Sequence, residues 1–529
     1  MPPIFPSALP FTPLLRLFNQ ITKPVIFNTY SHNFSRTRTT LSLINPSTAT
    51  SLPSVLSSTP VDVSSAVHAA QKALHGNWGQ LSGAERREVL RDIADAIEKR
   101  LKDFVQVEIT NAGMVKKDAI DEVNEAVECF RFFAGYADKR YGTSYSALSR
   151  IYHSYKVPSP YGITALITPF NYPLLLACWK LAPALACGNT VLLKPAPQTP
   201  LAALLLGKVI EDVGVDKGVV NVLPGGRDVG LEVVKNEHVK MVSFTGSLKG
   251  GREVLRTIGN EDENSTPKSI YGSRVNHSNA MEFTKPTATL KKMLLELGGN
   301  APLIVFPDVD LSAAVEDVIM ASFSNAGQNC CAGKRLYIHQ DVYSKFLDKL
   351  YDRVKSLRVD NADKEDTEVG PVISETALNE IVEWVEREIE AKKVEVIYGG
   401  KRMERKGFFV YPTLLKPTTN DANVGYDAGE VFGPVLTVMS FRSMEEVVAS
   451  ANLSGYGLAA GVWTSDFARA EYCISKLNAG VVWVNCYNAT HPYLCFGGMG
   501  NSGFGRELGV EAMKEYSVLK SICVRRGKL

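Results

Sequence analysis

The chain has 529 residues, of which 45% are apolar and 22% charged, and its formal net charge is +2. At ~100–200 residues per domain this length predicts two to four domains with well-buried cores. The balance offers neither a basic face for nucleic acid nor an acidic tail. The richest apolar run, Leu174 to Cys187, is broken by Lys180 and Pro183 and is too short to span a membrane.

Charge is uneven along the chain. Residues 1–61 hold no Asp or Glu and four basic residues, Arg16, Lys23, Arg36 and Arg38. The remainder therefore carries 54 basic against 56 acidic residues, a net −2. An acid-free, Arg- and Ser-bearing leader suits organelle import, and this reads 1–61 as an arm or transit peptide directed to mitochondria, with a cytoplasmic protein as the alternative. The nine cysteines are scattered, with no C-x-x-C. That predicts a reducing compartment, no disulfide scaffold and no metal site.

From Asp62 onward helical and strand signals alternate. Ser82-Gly83-Ala84-Glu85 reads as a capping box, followed by Leu90, Ile93, Ala94, Ile97 and Leu101 at helical spacing. Ile151, His153, Tyr155 and Val157 alternate as in a strand, within a segment (142–157) that predicts an arm or edge hairpin. Residues 163–168 and 190–193 are short apolar strands around a helix over 174–186, a strand–helix–strand unit that pairs in parallel. Helix 201–213 and strands 219–222 and 241–244 continue the pattern. The class is α/β with a mainly parallel sheet. Residues 259–289 are polar and aperiodic, a long loop or insert of a length uncommon inside a domain.

Gly498-Met499-Gly500-Asn501-Ser502-Gly503 spells G-x-G-x-x-G. The dinucleotide fingerprint needs a strand before it and a helix opening on it. Here a loop-like stretch precedes it and Gly505 interrupts, so the string reads as a turn-rich loop.

Several fragments carry chemistry only in combination. Gly327-Gln328-Asn329-Cys330-Cys331 follows an apolar segment; alone, such a Cys pair is most often buried filler. Leu295-Glu296-Leu297-Gly298-Gly299-Asn300 sets one acid among apolar neighbours before a sharp turn. Thr168-Pro169-Phe170-Asn171-Tyr172-Pro173 follows a strand and opens a helix, where Asn often serves as a cap. Phe244-Thr245-Gly246-Ser247 is a strand-to-Gly turn suited to a phosphate at a helix start. Glu430-Val431-Phe432-Gly433-Pro434 and Phe496-Gly497-Gly498 follow downstream.

In this order and approximate spacing the six blocks resemble the aldehyde dehydrogenase superfamily, over about residues 60–529. The resemblance implies a Rossmann-like dinucleotide domain (62–141 and 161–297), a catalytic domain (298–516) and a small β oligomerisation arm (142–160 with 517–526). It implies Cys330 as nucleophile, Glu296 as general base and the Asn171 amide as oxyanion donor with the Cys330 N–H. A nearby helix dipole or nicotinamide charge would favour the thiolate. For the cofactor, NAD, it implies Lys194 at the adenine ribose, Gly246 and Ser247 at the pyrophosphate, and Glu430 and Phe432 at the nicotinamide ribose. Tyr172, Trp179, Tyr487 and Phe496 are implied to line the aldehyde tunnel, where aromatic walls also suit a quaternary ammonium. The expected partners are a small aldehyde and further copies of the chain, as a dimer or tetramer.

The sequence departs from the family in three places. Pro197 stands where many NAD-preferring members have Glu, and Lys249 where an acid is common; both leave NADP open as a second cofactor. The 259–289 insert widens the Ser247–Glu296 interval to 49 residues. It is read either as a tolerated loop or as intron sequence retained by a faulty gene structure. The KPAP string and ALACGN lean toward betaine-aldehyde and aminobutyraldehyde members. The rival readings are a CoA-acylating semialdehyde dehydrogenase, against which Glu296 argues, and a member disabled by the insert.

Overall fold

The computed structural model describes residues 39–139, 141–145, 151–259, 290–418 and 430–526. Most of the polar insert lies outside the described residues, as do residues 1–38. Two short antiparallel ribbons come first: Thr40–Leu41 with Val55–Leu56, and Ile44–Asn45 with Thr50–Ser51. Leu43 and Val55 bury their side chains in the main core. The folded body thus reaches back past the expected boundary at residue 61. That part of the acid-free segment is held by two buried apolar residues rather than by a periodic pattern.

Helix α1 (Pro60–His75) opens on a capping box between Thr59 and Asp62. Helix α2 (Gly83–Lys99) opens on the predicted one, with Ser82 and Glu85 each satisfying the other's backbone amide. Replacing such a cap by Ala costs about 1 kcal/mol. Leu90, Ile93, Ala94 and Ile97 are its buried face, packed on helix α3 (Lys116–Ala137). Strand β1 (Tyr152–Pro160) then leaves the body.

The first sheet is built from alternating strands and helices: β2 (Ile163–Ile167), α4 (Pro173–Ala186), β3 (Thr190–Lys194), α5 (Leu201–Asp212), β4 (Val220–Val222), β5 (Val239–Thr245), α6 (Leu248–Gly259) and β6 (Lys292–Glu296). The parallel order is β6-β5-β2-β3-β4. Every residue of α4 is buried, which is why its sequence is apolar all round. The carboxyl ends of β2, β3, β5 and β6 deliver Thr168, Lys194, Gly246 and Leu297 to one edge, where open α/β sheets bind ligands.

The second sheet contains β7 (Ala301–Val305), β8 (Gly333–His339), β9 (Val394–Tyr398), β10 (Thr413–Pro417), β11 (Val435–Phe441), β12 (Ala459–Trp463) and β13 (Val481–Val484). Its order is β9-β10-β11-β8-β7-β12-β13, parallel except for β9. Helices α7 (Leu311–Phe323) and α8 (Glu375–Glu390) flank it. The chain then returns to the first sheet as β14 (Gly503–Phe504), antiparallel to β6. The last strand, β15 (Ser517–Arg525), pairs antiparallel with β1 from Ser517↔Pro160 to Arg525↔Tyr152, and Thr143–Ser144 adds a third strand. Among the described residues, Thr143–Ser144, Tyr152–Pro160 and Ser517–Arg525 make one small three-stranded sheet. Among the described residues no helix is long and apolar enough to cross a membrane.

Candidate active site

A cleft of about 770 Å³ opens where the two sheets face each other. Asn171, Gly246, Ser247, Cys330, Glu430 and Phe432 all line it, with Leu297 and Gly298 following Glu296. Residues far apart in the chain and predicted from separate blocks therefore converge.

Cys330 is presented by an unusual turn. After α7 the backbone of Asn325, Ala326 and Gly327 is left-handed, with φ of 48°, 55° and 67°. Two non-glycine residues there are strained and persist only if neighbours hold them. Gln328 Nε2 donates to Asn325 O at 3.1 Å, and its Oε1 accepts from Ile373 N at 2.8 Å. Lys334 Nζ donates to Gly327 O at 2.8 Å and to Gly433 O at 2.6 Å. A Cβ at position 327 would meet Gly433 O at 2.3 Å, so only glycine fits this approach.

The residue Cys330 is partly exposed. Its neighbours push its pKa well up: contact with the Cys331 thiol first, then burial, then the Glu430 and Glu296 charges. The helix preceding Cys330 ends at Phe323, so Cys330 follows its C-terminal end, which does not favour a thiolate.

Asn171 is buried, and its Nδ2 donates to Gln328 O at 3.0 Å, which uses one of its two N–H groups. Glu296 closes β6 and is 4% exposed. Burial pushes its carboxyl well above the usual range; Glu507 pushes it further, while Lys180 and Arg506 pull it back. The Gly498 amide favours the charged form only weakly, and neither carboxylate oxygen completes a hydrogen bond of ordinary geometry among the described residues. Behind it lies a buried pair that sequence reasoning missed. Lys180 Nζ bonds Glu507 Oε1, and donates to Ser243 Oγ at 3.0 Å. The visible signal was a single Lys interrupting an apolar helix; nothing local marked Glu507.

The glycine string 498–503 is a clamp on Glu296 and the residues after it. Gly503 pairs with Glu296, and Ser502 O accepts from Leu297 N at 2.9 Å. Ser502 Oγ donates to Gly298 O at 2.8 Å and accepts from Gly457 N at 3.0 Å.

The residues expected at the cofactor have a chemistry that suits a dinucleotide. Ser247 lines the cleft at the start of α6, its Oγ accepting from Gly250 N at 3.1 Å, so a helix N-terminus opens on the cleft. Glu430 Oε1 is shut off from solvent and has no partner among the described residues. Its pKa is raised to about 7 by burial, against the Lys334 charge and the Gly299 amide. The Phe432 ring meets Phe170 edge-on at 5.7 Å. Lys194 lies outside this cleft, buried at the end of β3 beside Gly230. Burial lowers its pKa to about 8, and Asp228 pulls it back up.

Of the implied tunnel residues, Trp179 and Phe496 are buried with rings 5.2 Å apart. Tyr487 donates its hydroxyl to Cys331 O at 2.6 Å, and its ring lies 4.5 Å from that of Trp483. Tyr172 precedes α4, within electrostatic reach of Cys330 and Cys331. None of the four borders the 770 Å³ cleft; they lie around Cys331 and along α4.

The model of the aldehyde dehydrogenase family matches residues 34–522. The match begins well inside the acid-free segment, earlier than the start near residue 60 that the motifs suggested. An aldehyde dehydrogenase-like protein of Schizosaccharomyces pombe is 38% identical over 91% of this chain and 90% of its own. Retinal dehydrogenase 2 of Gallus gallus is 35% identical over 97% of this chain and 94% of its own. The structure of betaine aldehyde dehydrogenase from Staphylococcus aureus in complex with NAD+ superposes with a TM-score of 0.88 at 31% identity, covering 97% of each chain.

Proposed function

The chain belongs to the aldehyde dehydrogenase family and oxidises an aldehyde with NAD, and on that footing we propose the residues that do so and the aldehyde class they serve. The observation that carries the assignment is the convergence of Cys330, Asn171, Ser247, Glu430 and Phe432 on one cleft, with Glu296 at the strand end beside it. The Cys330 thiol gives up its proton to a base, its Sγ bonds to the aldehyde carbon as the C=O π pair moves onto oxygen, and the free N–H of the Asn171 amide donates to that oxygen. Losing such a donor costs about 10²–10³ in rate. Gly246, Ser247, Glu430 and Phe432 hold the dinucleotide in the cleft, and Lys194 lies beyond it at the end of β3. NAD, when bound, takes up the hydrogen and electron pair that leave the aldehyde carbon. Glu296 then takes a proton from water, whose oxygen attacks the Cys330 thioester; the C–S bond breaks and the thiol is restored. Aldehyde, water and NAD+ yield carboxylate, NADH and two protons.

The substrate class is aldehydes bearing an amino or trimethylamino group. The Trp179–Phe496 pair, the KPAP string and the likeness to betaine aldehyde dehydrogenase support this; the relative that acts as retinal dehydrogenase favours a bulky apolar aldehyde instead. The arm sheet exposes Tyr152, Val518, Leu519 and Val524, which supports its use between subunits of a dimer or tetramer. The acid-free leader supports mitochondrial import. Steady-state kinetics on an aldehyde panel with NAD and NADP test the reading. The expected result is acid formed without CoA, a higher kcat/KM with NAD, and preference for amino- or trimethylamino-aldehydes. Turnover of apolar aldehydes alone would remove the substrate class, and dependence on CoA would replace hydrolysis by acyl transfer.

A further inference from the structure

The turn before Cys330 holds a residue that the reaction scheme above does not use. Asn325 is 5% exposed, and its carboxamide does not line the cleft. Its Nδ2 donates to Asn171 O at 2.8 Å and lies 3.4 Å from Gln328 O. The same Gln328 O accepts from Asn171 Nδ2 at 3.0 Å. These contacts close a ring between the oxyanion donor and the residue two before the nucleophile. Asp118 Oδ2 accepts from Asn325 N at 3.4 Å and ties the ring to α3. The backbone of Asn325 is left-handed, a conformation that Asn tolerates better than most residues.

We propose that Asn325 is a positioning residue for the aldehyde oxidation: its amide fixes the separation and orientation of the Asn171 donor relative to Cys330. A side chain needed only for the turn would be replaceable by glycine, which adopts the same φ freely. A side chain that sets the donor would not be, because glycine leaves Asn171 O without its partner. Misplacement of a reacting group by about 1 Å costs ~10² in rate.

The inference rests on the dehydrogenase reading, and the test separates the two. Asn325→Gly keeps the backbone conformation and removes the amide. Asn325→Asp keeps the shape but turns a carboxylate toward two carbonyl oxygens. For Asn325→Gly the expected result is a kcat about 10–100-fold below wild type, with the NAD dissociation constant, the aldehyde KM and the rate of Cys330 alkylation by iodoacetamide within about threefold. Asn325→Asp is expected to be slower still. In the Asn171→Ala background Asn325→Gly should add little, because Asn325 acts through Asn171. A kcat for Asn325→Gly within about threefold of wild type, or full additivity with Asn171→Ala, overturns the proposal. So does loss of folding in both variants, which would make the residue structural. Failure of wild-type protein to oxidise any aldehyde with NAD would overturn the dehydrogenase reading instead.

Discussion

Lys180→Met tests whether the site behind Glu296 is an electrostatic unit. The Lys180 and Glu507 side chains are 0% and 1% exposed, and both touch Ser243. Methionine fills much of the lysine volume, so the lost charge dominates over a cavity. It leaves the Glu507 carboxylate buried without its counter-charge, a loss of about 3–5 kcal/mol. Replacing both partners, as in Lys180→Met with Glu507→Leu, removes the desolvation along with the attraction and should restore most of that stability. Denaturant midpoints for wild type, both single variants and the double variant supply the cycle. The same variants act on Glu296. Lys180 pulls its pKa down and Glu507 pushes it up, so the pH midpoint of kcat should rise in Lys180→Met and fall in Glu507→Leu. A base works only when deprotonated, so a higher midpoint means activity is lost at a higher pH as the solution is acidified. A single variant within about 1 kcal/mol of wild type, or midpoints that move in the same direction, would refute this reasoning.

Glu296→Gln should allow one acylation and then stall, leaving a Cys330 adduct visible by intact-mass spectrometry; steady turnover at the wild-type rate would remove the assigned base. In Gly298→Ala the new Cβ would lie 1.9 Å from Glu430 Oε2, displacing the acid proposed to hold the nicotinamide ribose. Loss of a hydrogen bond to a charged group costs ~1.5–3 kcal/mol, so the NAD dissociation constant should rise about 10–100-fold, as read by fluorescence titration. Glu430→Gln removes one of the charges that hold the Cys330 pKa up. Alkylation of NAD-free protein at neutral pH should therefore run faster in the variant, and a slower rate would show that the acid does not act on the thiol.

Legibility in the sequence followed the distance between interacting residues. Cys330, Glu296 and Asn171 each sit in a block whose local pattern announces a strand end, a turn or a helix start, and those ends are what the sheet edge collects. The strand–helix alternation over 163–245 was readable for the same reason: burial on both faces demands apolar runs. Lys180 and Glu507 are 327 residues apart, and no window of sequence contains both. Asn325 was silent as well, because a left-handed turn of Asn-Ala-Gly has only its glycine as a signal, while the strain sits on the two residues before it. The ribbons at 40–56 hid within a Ser-, Thr- and Pro-rich composition. The string 498–503 marks the opposite error. Its glycines match a phosphate-binding pattern, yet a Cβ at Gly503 would meet Leu295 O at 2.0 Å and one at Gly498 would meet Ser502 Cβ at 2.5 Å. Close backbone approach is the need those glycines share with a nucleotide loop. At Gly503 the approaching partner is the strand that ends in Glu296, and at Gly498 it is Ser502 of the same loop, so the pattern reported close packing and not a ligand.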